Sequence, residues 1–365
     1  MSGFPPLRPE LVGAEPYGAP QVDVAVRLNT NENPYGPSEI VVKDIAESVA
    51  AAASSLNRYP DREASELRAG LAAYLQGETG VSLGVEQVWA ANGSNEVMLQ
   101  ILQAFGGPGR VAVSFAPTYS MYPEYARDAM TGWVAGRRHE DFSFDDAHAR
   151  SLIAEHQPTV VFLPSPNNPT GTALPHEVIG GLCETVGAMP TPGVVVIDEA
   201  YAEFRREGVP SALELLGEHR NLIVTRTMSK AFALAGARLG YLAADPAIVD
   251  ALRVVRLPYH LSSVTQATAI AALRHADELL GQVAVLRAER DREVAWLRAA
   301  DFEVADSDAN FILFGRFEDR HAVWQGLLDR GVLIREVGPE GWLRVSIGTA
   351  GEMQAFERAL EEVTR

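Results

Sequence analysis

Lysine is nearly absent from this chain of 365 residues. Only Lys43 and Lys230 occur, and the other basic side chains among its 31 lysines and arginines are all arginines. Arginine stays protonated in proteins, whereas the amine of a lysine can lose its proton and act as a base or a nucleophile. Lys230 follows an apolar run at residues 222–224, and Arg238 comes shortly after it. On this stretch alone, a functional amine and a stray surface lysine explain Lys230 equally well.

Cysteine is rarer still, because Cys183 is the only one. A single cysteine excludes a disulfide framework and a thiol-bound metal site, and the histidines show no ligand spacing, so we expect no metal. No apolar run approaches the length of a membrane span, and the first residues lack the apolar core of a signal peptide. We therefore expect a cytoplasmic protein.

Positive charge is also in short supply, since the formal net charge is −17. Phosphate backbones are held by basic patches, so the composition argues against a nucleic-acid partner. An anionic small molecule would need a few local arginines and backbone amides.

Strand-like apolar runs alternate with helical patterns over much of the chain, which predicts a mostly parallel sheet with helices on both faces. The predicted strands lie at residues 110–115, 159–163, 193–197 and 222–225. Helical patterns cover 37–56, 61–76 and 118–130, and Ser94 is the expected N-cap of a further helix.

The character of the chain changes after Pro246. One long helix or two joined helices at 263–299 precede short predicted strands near 302–304, 310–314, 332–335 and 343–347, with helices at 319–330 and 350–364. We expect an α/β protein with three parts: an N-terminal arm (1–36) rich in Pro, Gly and Asn, a large domain (37–260), and a smaller α+β domain (261–365) that packs with the arm.

Two nucleotide-binding motifs are missing. Asp198-Glu199 after an apolar strand resembles a Walker B element, but no lysine follows a glycine, so no Walker A motif exists. A G-x-G-x-x-G fingerprint does not follow the first strands either, which disfavours a dehydrogenase. Asp198 taken alone could simply cap the next helix.

Polar clusters end three neighbouring predicted strands, where the ligand crevice of an α/β sheet lies. The clusters are Pro164-Ser-Pro-Asn-Asn-Pro-Thr-Gly171, Asp198-Glu-Ala-Tyr201 and Thr225-Arg-Thr-Met-Ser-Lys230. Pyridoxal phosphate calls for a lysine that forms a Schiff base and an acid partner for its pyridinium nitrogen, and a lysine and an aspartate stand in these clusters beside a tyrosine and an asparagine.

On these motifs the chain resembles the fold-type-I pyridoxal-phosphate (PLP) aminotransferases, and more narrowly the histidinol-phosphate aminotransferase subfamily. Further motifs carry the narrower resemblance: Asn31-Glu-Asn-Pro34, Asn57-Arg-Tyr-Pro-Asp61, Pro117-Thr-Tyr-Ser-Met-Tyr122, Arg256-Leu-Pro-Tyr259 and Asn310-Phe-Ile-Leu-Phe314. The resemblance spans nearly the whole chain and implies a PLP-transferase-like large domain.

The resemblance implies a catalytic set. Lys230 would form the Schiff base with PLP and then move the substrate proton. Asp198 would hold the proton of the pyridinium nitrogen, while Tyr201 and Asn168 would hydrogen-bond the phenolic oxygen. Tyr119 would stack on the ring.

The resemblance also implies a phosphate cup. Ser94, Asn95, Ser229 and Arg238 would bind the phosphate of PLP at a helix N-terminus. The family often has Asp where Asn95 stands, so the backbone N–H of Asn95 is the firmer part of that expectation. Tyr59 would reach the cofactor phosphate of a neighbouring subunit, which implies a homodimer with shared active sites.

Substrate-binding residues follow from the same resemblance. Arg344 would clamp the α-carboxylate of amino-acid donors, and Arg335 would join Arg344 and Tyr17 around the phosphate of histidinol phosphate. Asn33 would line the site, although a turn role in Asn-Pro explains it equally well.

The implied activity is transamination of L-histidinol phosphate with 2-oxoglutarate in histidine biosynthesis, giving imidazole-acetol phosphate and glutamate. Two enzymes share the cofactor residues and stay open as alternatives: an aromatic (phenylalanine) aminotransferase and a PLP-dependent phospho-amino-acid decarboxylase. A non-enzymatic α/β binding or regulatory protein would keep the fold without the chemistry.

Overall fold

A seven-stranded mixed sheet forms the centre of the computed structural model, which describes residues 5–364. Along the chain, the strands that the structure describes are β1 (Val26–Arg27), β2 (Val88–Ala91), β3 (Val111–Ala116), β4 (Gly132–Arg137), β5 (Val160–Pro164), β6 (Val194–Asp198), β7 (Leu222–Thr227), β8 (Gly240–Ala244), β9 (Glu303–Val304), β10 (Phe311–Gly315), β11 (Val332–Leu333) and β12 (Trp342–Ser346). The central sheet has the order β2-β8-β7-β6-β5-β3-β4.

Helices cover both faces of this sheet. Along the chain, the helices that the structure describes are α1 (Glu39–Ala53), α2 (Ser65–Thr79), α3 (Ser94–Phe105), α4 (Tyr122–Asp128), α5 (Asp146–His156), α6 (His176–Gly187), α7 (Pro246–Val255), α8 (Ser263–Arg274), α9 (Ala276–Ala299), α10 (Arg320–Asp329) and α11 (Ala350–Thr364), of which α10 and α11 pack in the C-terminal part. Alternate residues of each strand enter opposite cores: Val161 and Leu163 pack on one side, and Val160 and Phe162 on the other. Burial on both faces is why these strands are continuous apolar runs.

The predicted α/β class and the mostly parallel mixed sheet are confirmed. All pairs in the central sheet are parallel except those of β8, which is antiparallel to both β2 and β7. Sequence patterns missed β2, β4 and β8, which lack the continuous β-branched runs of β5 and β6.

One local prediction needs correction, and one open alternative is resolved. The helix predicted over 118–130 is confined to α4, because Thr118 and Tyr119 lie outside any helix and a turn at Ser120 and Met121 precedes it. The pattern at 263–299 is two helices, broken at His275, whose φ and ψ of −114° and 24° leave the helical region.

The C-terminal part forms a separate three-stranded sheet, β12-β10-β9. The arm joins this part, because β1 pairs in parallel with β11. The division of the chain at residues 36 and 260 stays a prediction. Among the described residues, no helix is long and apolar enough to cross a membrane.

Candidate active site

A cavity of about 450 Å³ opens at the carboxyl ends of β2, β5, β6 and β7. Its size is that of a small-molecule site. It gathers every site residue named from the sequence except Tyr59 and Asn33: Tyr17, Ser94, Asn95, Tyr119, Asn168, Asp198, Tyr201, Ser229, Lys230, Arg238, Arg335 and Arg344. Residues far apart in sequence thus meet where parallel strands end.

Lys230 lies in this cavity, three residues beyond the end of β7. Its Nζ donates a 2.9 Å hydrogen bond to the carbonyl oxygen of Thr30, in the arm. Burial, together with the positive charges of Arg344 and Arg238, lowers the pKa of Lys230 to about 8, against the opposing effect of Glu32. At neutral pH the amine is therefore still mostly protonated, but a far larger fraction of it is uncharged than in an ordinary lysine.

Asp198, the last residue of β6, is a buried carboxylate held by two hydroxyl groups. Tyr122 donates to Oδ2 over 2.8 Å, and Thr225 donates to Oδ1 over 3.2 Å. Burial raises the pKa of Asp198, and these hydrogen bonds lower it in part. Among its described contacts, this carboxylate has no basic partner. It can therefore form an ion pair with a cationic ring nitrogen bound in the cavity.

The opposite end of the cavity is built to hold an anion. Helix α3 begins there, with Ser94 as its first residue and Gly93 as its N-cap at a φ of 82°. The prediction of Ser94 as the N-cap was therefore wrong by one residue. A Cβ at Gly93 would lie 2.6 Å from Nη2 of Arg238, so only glycine lets the guanidinium close over the helix N-terminus. Exposed N–H groups and an arginine form a phosphate cradle.

Ser229 adds a hydroxyl to this cradle. Its Oγ accepts hydrogen bonds from Thr227 and from Arg238, at 3.0 and 3.4 Å. The residues present therefore fit a phosphorylated pyridine, with an anion cradle at one end and Asp198 at the other.

Arg344 occupies the arm side of the cavity and is only 6% exposed. Its guanidinium donates to Oδ1 of Asn168 over 2.6 Å and to the carbonyl oxygen of Asn29 over 2.8 Å. Its Nε is buried and has no hydrogen-bond partner within residues 5–364. Burial lowers its pKa to about 10, and the nearby Arg335 contributes. A buried guanidinium facing neutral oxygens is poised to receive a carboxylate or phosphate.

Arg335 is tied to Arg344 through the backbone. The two residues exchange both N–H···O bonds at 2.9 Å, which places two guanidinium groups on one cavity wall. Tyr17 stands at the mouth of the cavity, half exposed, where its hydroxyl accepts a 3.4 Å bond from Ser120.

Two predicted site residues lie outside the cavity. The side chain of Asn33 bonds the backbone of Tyr35 and Ala231, as a turn residue does. Tyr59 is 79% exposed and stacks on Tyr259 with ring centroids 4.4 Å apart. Its predicted reach into a neighbouring subunit stays a prediction.

Sequence reasoning missed Asn31, Tyr122 and Thr225. Asn31 donates through Nδ2 to the hydroxyl of Tyr201 over 3.0 Å. Asn31 and Tyr122 stand in the quoted motifs Asn31-Glu-Asn-Pro34 and Pro117–Tyr122, so a signal existed, but spacing did not show which side chains point inward.

A buried ionic cluster supports the floor of the site. Arg226 in β7 is 1% exposed and contacts Glu199, Glu203 and Glu78 at 2.7, 3.0 and 3.0 Å. It ties the end of β6, which carries Asp198, to β7. This cluster therefore fixes the relative position of the two strand ends.

A family model for class I and II aminotransferases matches residues 23–363. The chain belongs to this aminotransferase family. This aminotransferase is 62% identical over 359 residues to a histidinol-phosphate aminotransferase of Thermobifida fusca, which covers 98% of this chain and 95% of that protein. It is 61% identical over 355 residues to the histidinol-phosphate aminotransferase of Frankia casuarinae, covering 97% and 89%. The subfamily resemblance is confirmed.

Solved structures place this aminotransferase in the same fold. A histidinol-phosphate aminotransferase from Sinorhizobium meliloti in complex with pyridoxal-5'-phosphate superposes with a TM-score of 0.85 at 26% identity, covering 100% of this chain and 98% of that one. An aspartate aminotransferase double mutant from Thermus thermophilus gives 0.82 at 23% identity, covering 98% of each chain, and shows the fold alone.

Proposed function

We propose that this aminotransferase binds PLP and transfers the amino group of L-histidinol phosphate to 2-oxoglutarate. The products are imidazole-acetol phosphate and glutamate, and the reaction serves histidine biosynthesis. The observation that carries the proposal is one cavity that joins a buried, weakly basic Lys230 to an anion cradle and to the arginine pair Arg344 and Arg335. The relatives at 61–62% identity bear the same subfamily name.

PLP, when bound, supplies an electron sink that makes the substrate Cα–H acidic. Gly93, Ser94, Ser229 and Arg238 would hold its phosphate, as the cradle geometry allows. Asp198 would hold the proton on its ring nitrogen. Asn168 accepts from Arg344 through Oδ1, so its Nδ2 is left as a donor toward the phenolic oxygen.

Lys230 is the general base in this proposal. It would hold the cofactor in the absence of substrate and then take the proton from the substrate Cα. A base whose pKa lies close to the working pH combines a large unprotonated fraction with useful proton affinity. Thr30 offers an acceptor for the free Nζ.

The arginine pair has to accept both substrates in turn. Arg344 would bind the α-carboxylate of glutamate and 2-oxoglutarate in a bidentate way. With the amine donor, which lacks an α-carboxylate, Arg344, Arg335 and Tyr17 would bind the phosphate. Two adjacent guanidinium groups match a doubly charged anion better than a neutral aromatic ring, which favours histidinol phosphate over phenylalanine.

A homodimer and a cytoplasmic location belong to the proposal. Tyr59 and Tyr259 form a stacked, exposed aromatic pair, and Val254 and Leu257 are 84% and 72% exposed nearby in sequence. Exposed apolar groups of this kind mark interfaces. A second copy of this chain would cover them and bring Tyr59 to its cofactor phosphate.

The kcat/KM values for histidinol phosphate and phenylalanine, measured side by side with 2-oxoglutarate, test the proposal. We expect histidinol phosphate to be preferred by at least about two orders of magnitude, since removing a bound doubly charged group loses several kcal/mol. A preference for phenylalanine would overturn the substrate. Release of CO₂ without a need for a keto acid would support the decarboxylase instead.

A further inference from the structure

Asn31 and Ser346 form a closed hydrogen-bond loop beside Tyr201. The backbone N–H of Asn31 donates to Oγ of Ser346 over 2.8 Å, and that hydroxyl donates to Oδ1 of Asn31 over 2.8 Å. Nδ2 of Asn31 then donates to the hydroxyl of Tyr201 over 3.0 Å. Asn31, Ser346 and Tyr201 are 2%, 3% and 7% exposed, so water does not compete for these bonds.

The loop fixes the direction of every bond in the chain. Ser346 Oγ accepts from a backbone N–H, which can only donate, so its hydrogen goes to Asn31 Oδ1. That contact settles the amide orientation of Asn31 and turns Nδ2, a pure donor, toward Tyr201. The Tyr201 oxygen is thereby an acceptor in this bond, and its own hydrogen must point elsewhere. The remaining direction is the cavity that Tyr201 lines.

We propose that Asn31, locked by Ser346, is a positioning residue that makes the Tyr201 hydroxyl a donor into the cavity. This inference rests on the proposed function and on the contact that the family resemblance implies between the Tyr201 hydroxyl and the phenolic oxygen of PLP. A hydroxyl that accepts a hydrogen bond is also a stronger donor, because bonds in a chain polarise one another. Asn31 therefore sets both the direction and the strength of the bond that Tyr201 gives.

Hydrogen bonds fix the backbone around Asn31. Asn31 adopts a φ of 55°, a left-handed conformation that asparagine tolerates better than most residues. Its carbonyl oxygen accepts from Asn310 over 3.1 Å, and the two preceding carbonyls, of Asn29 and Thr30, accept from Arg344 and Lys230. Glycine also adopts this φ, so Asn31→Gly removes the side chain without straining the backbone.

The test is a pH titration of the visible absorption of the PLP-loaded protein, which reports on the proton that the phenolic oxygen shares. A hydrogen-bond donor at that oxygen stabilises its ionised form. Loss of the donor therefore raises the pH at the midpoint of the absorption change. The variants are Asn31→Gly, Ser346→Ala, Tyr201→Phe and the double variant Asn31→Gly/Tyr201→Phe. Asn310→Ala is the matched control, since it loosens the same arm segment without touching the bond to Tyr201.

We expect Asn31→Gly to raise the titration midpoint by about 0.5–1 pH unit, the shift that one weakened hydrogen bond produces. Ser346→Ala should raise it less, because the amide of Asn31 is then free to turn. Asn31→Gly should add nothing in the Tyr201→Phe background, and Asn310→Ala should leave the midpoint in place.

Three distinguishable outcomes would contradict either the positioning role of Asn31 or the contact of Tyr201 with the phenolic oxygen. A midpoint that moves in Tyr201→Phe but not in Asn31→Gly overturns the positioning role alone. An equal shift in Asn310→Ala and Asn31→Gly also overturns it, because arm loosening would then explain both. A midpoint unchanged even in Tyr201→Phe contradicts the contact with the phenolic oxygen on which this inference rests, whereas the proposed function fails only if the substrate comparison above goes against histidinol phosphate.

Discussion

The hydroxyl of Tyr122 donates a 2.8 Å hydrogen bond to Oδ2 of Asp198, and both groups are buried beneath the cavity. Burial and the adjacent carboxylate raise the pKa of Tyr122 well above its usual value, so the hydroxyl keeps its proton at every working pH. A permanent donor counters the effect of burial on Asp198 and favours its ionised form.

Tyr122→Phe should therefore raise the pKa of Asp198 further and lower kcat about tenfold, the loss that one hydrogen bond to a charged group brings. The acid limb of the kcat–pH profile should move to higher pH, because Asp198 would become protonated sooner. The measurement is a pH–rate profile of both proteins, with Asp198→Asn as the lower limit. An unchanged acid limb would contradict the role of Tyr122.

Lys230 should make the free energy of unfolding of the cofactor-free protein depend on pH. The pKa of Lys230 is about 8 in the folded protein, against the ordinary lysine value of 10.5 that applies to the unfolded chain. Between these values the unfolded chain binds more protons, so folding stability contributed by this group rises with pH and is lowest below pH 8. From pH 8 to pH 10, the free energy of unfolding should rise by up to about 2 kcal/mol relative to Lys230→Met. Denaturant titrations of both proteins at pH 8 and pH 10 measure this rise. An equal change in the free energy of unfolding in both proteins would contradict the prediction.

Arg335→Ala should impair recognition of the phosphate in the amine donor. We expect kcat/KM for histidinol phosphate to fall about 100-fold, as expected for loss of a charge-assisted contact, while histidinol without the phosphate is affected little. The ratio of the two kcat/KM values is the quantity to measure. A ratio that stays at the wild-type value would remove Arg335 from the phosphate site.

Arg226→Met should destabilise the fold by about 3–5 kcal/mol, because among the described residues it leaves the buried Glu203 without an ion-pair partner and Glu199 with Arg205 alone, at 3.4 Å. Arg220→Ala is the matched control: Arg220 pairs with Asp245 but is 83% exposed in its side chain, and such pairs contribute at most about 1 kcal/mol. Denaturant unfolding compares the two variants. Equal losses would mean that the buried cluster does not stabilise the strand ends.

Much of the fold was predictable because long apolar strands carry a strong signal. β5 and β6 are buried on both faces, and their β-branched runs follow from that burial. The antiparallel strand β8 was not predictable in this way. β8 begins with Gly240 because the backbone of Ser94 passes close to it, and a Cβ at this position would overlap that backbone.

The site was predictable where motifs stand at strand ends, as with Asp198 and Lys230. Its supporting contacts were not, because they join residues far apart in sequence: Asn31 meets Ser346 across 315 positions. The position of Tyr122 under Asp198 likewise depends on how α4 packs on the sheet. Such contacts follow from tertiary structure, which spacing along the chain does not reveal.

The half-reaction of the PLP-loaded protein tests the central claim most directly. L-histidinol phosphate alone should change the visible absorption of the bound cofactor, and added 2-oxoglutarate should restore it with formation of glutamate. Lys43→Ala should behave as wild type, since Lys43 is an exposed lysine paired with Glu47, whereas Lys230→Ala should lose the response by at least about a thousandfold in rate. No spectral response to histidinol phosphate in the wild type, or an undiminished one in Lys230→Ala, would contradict the account.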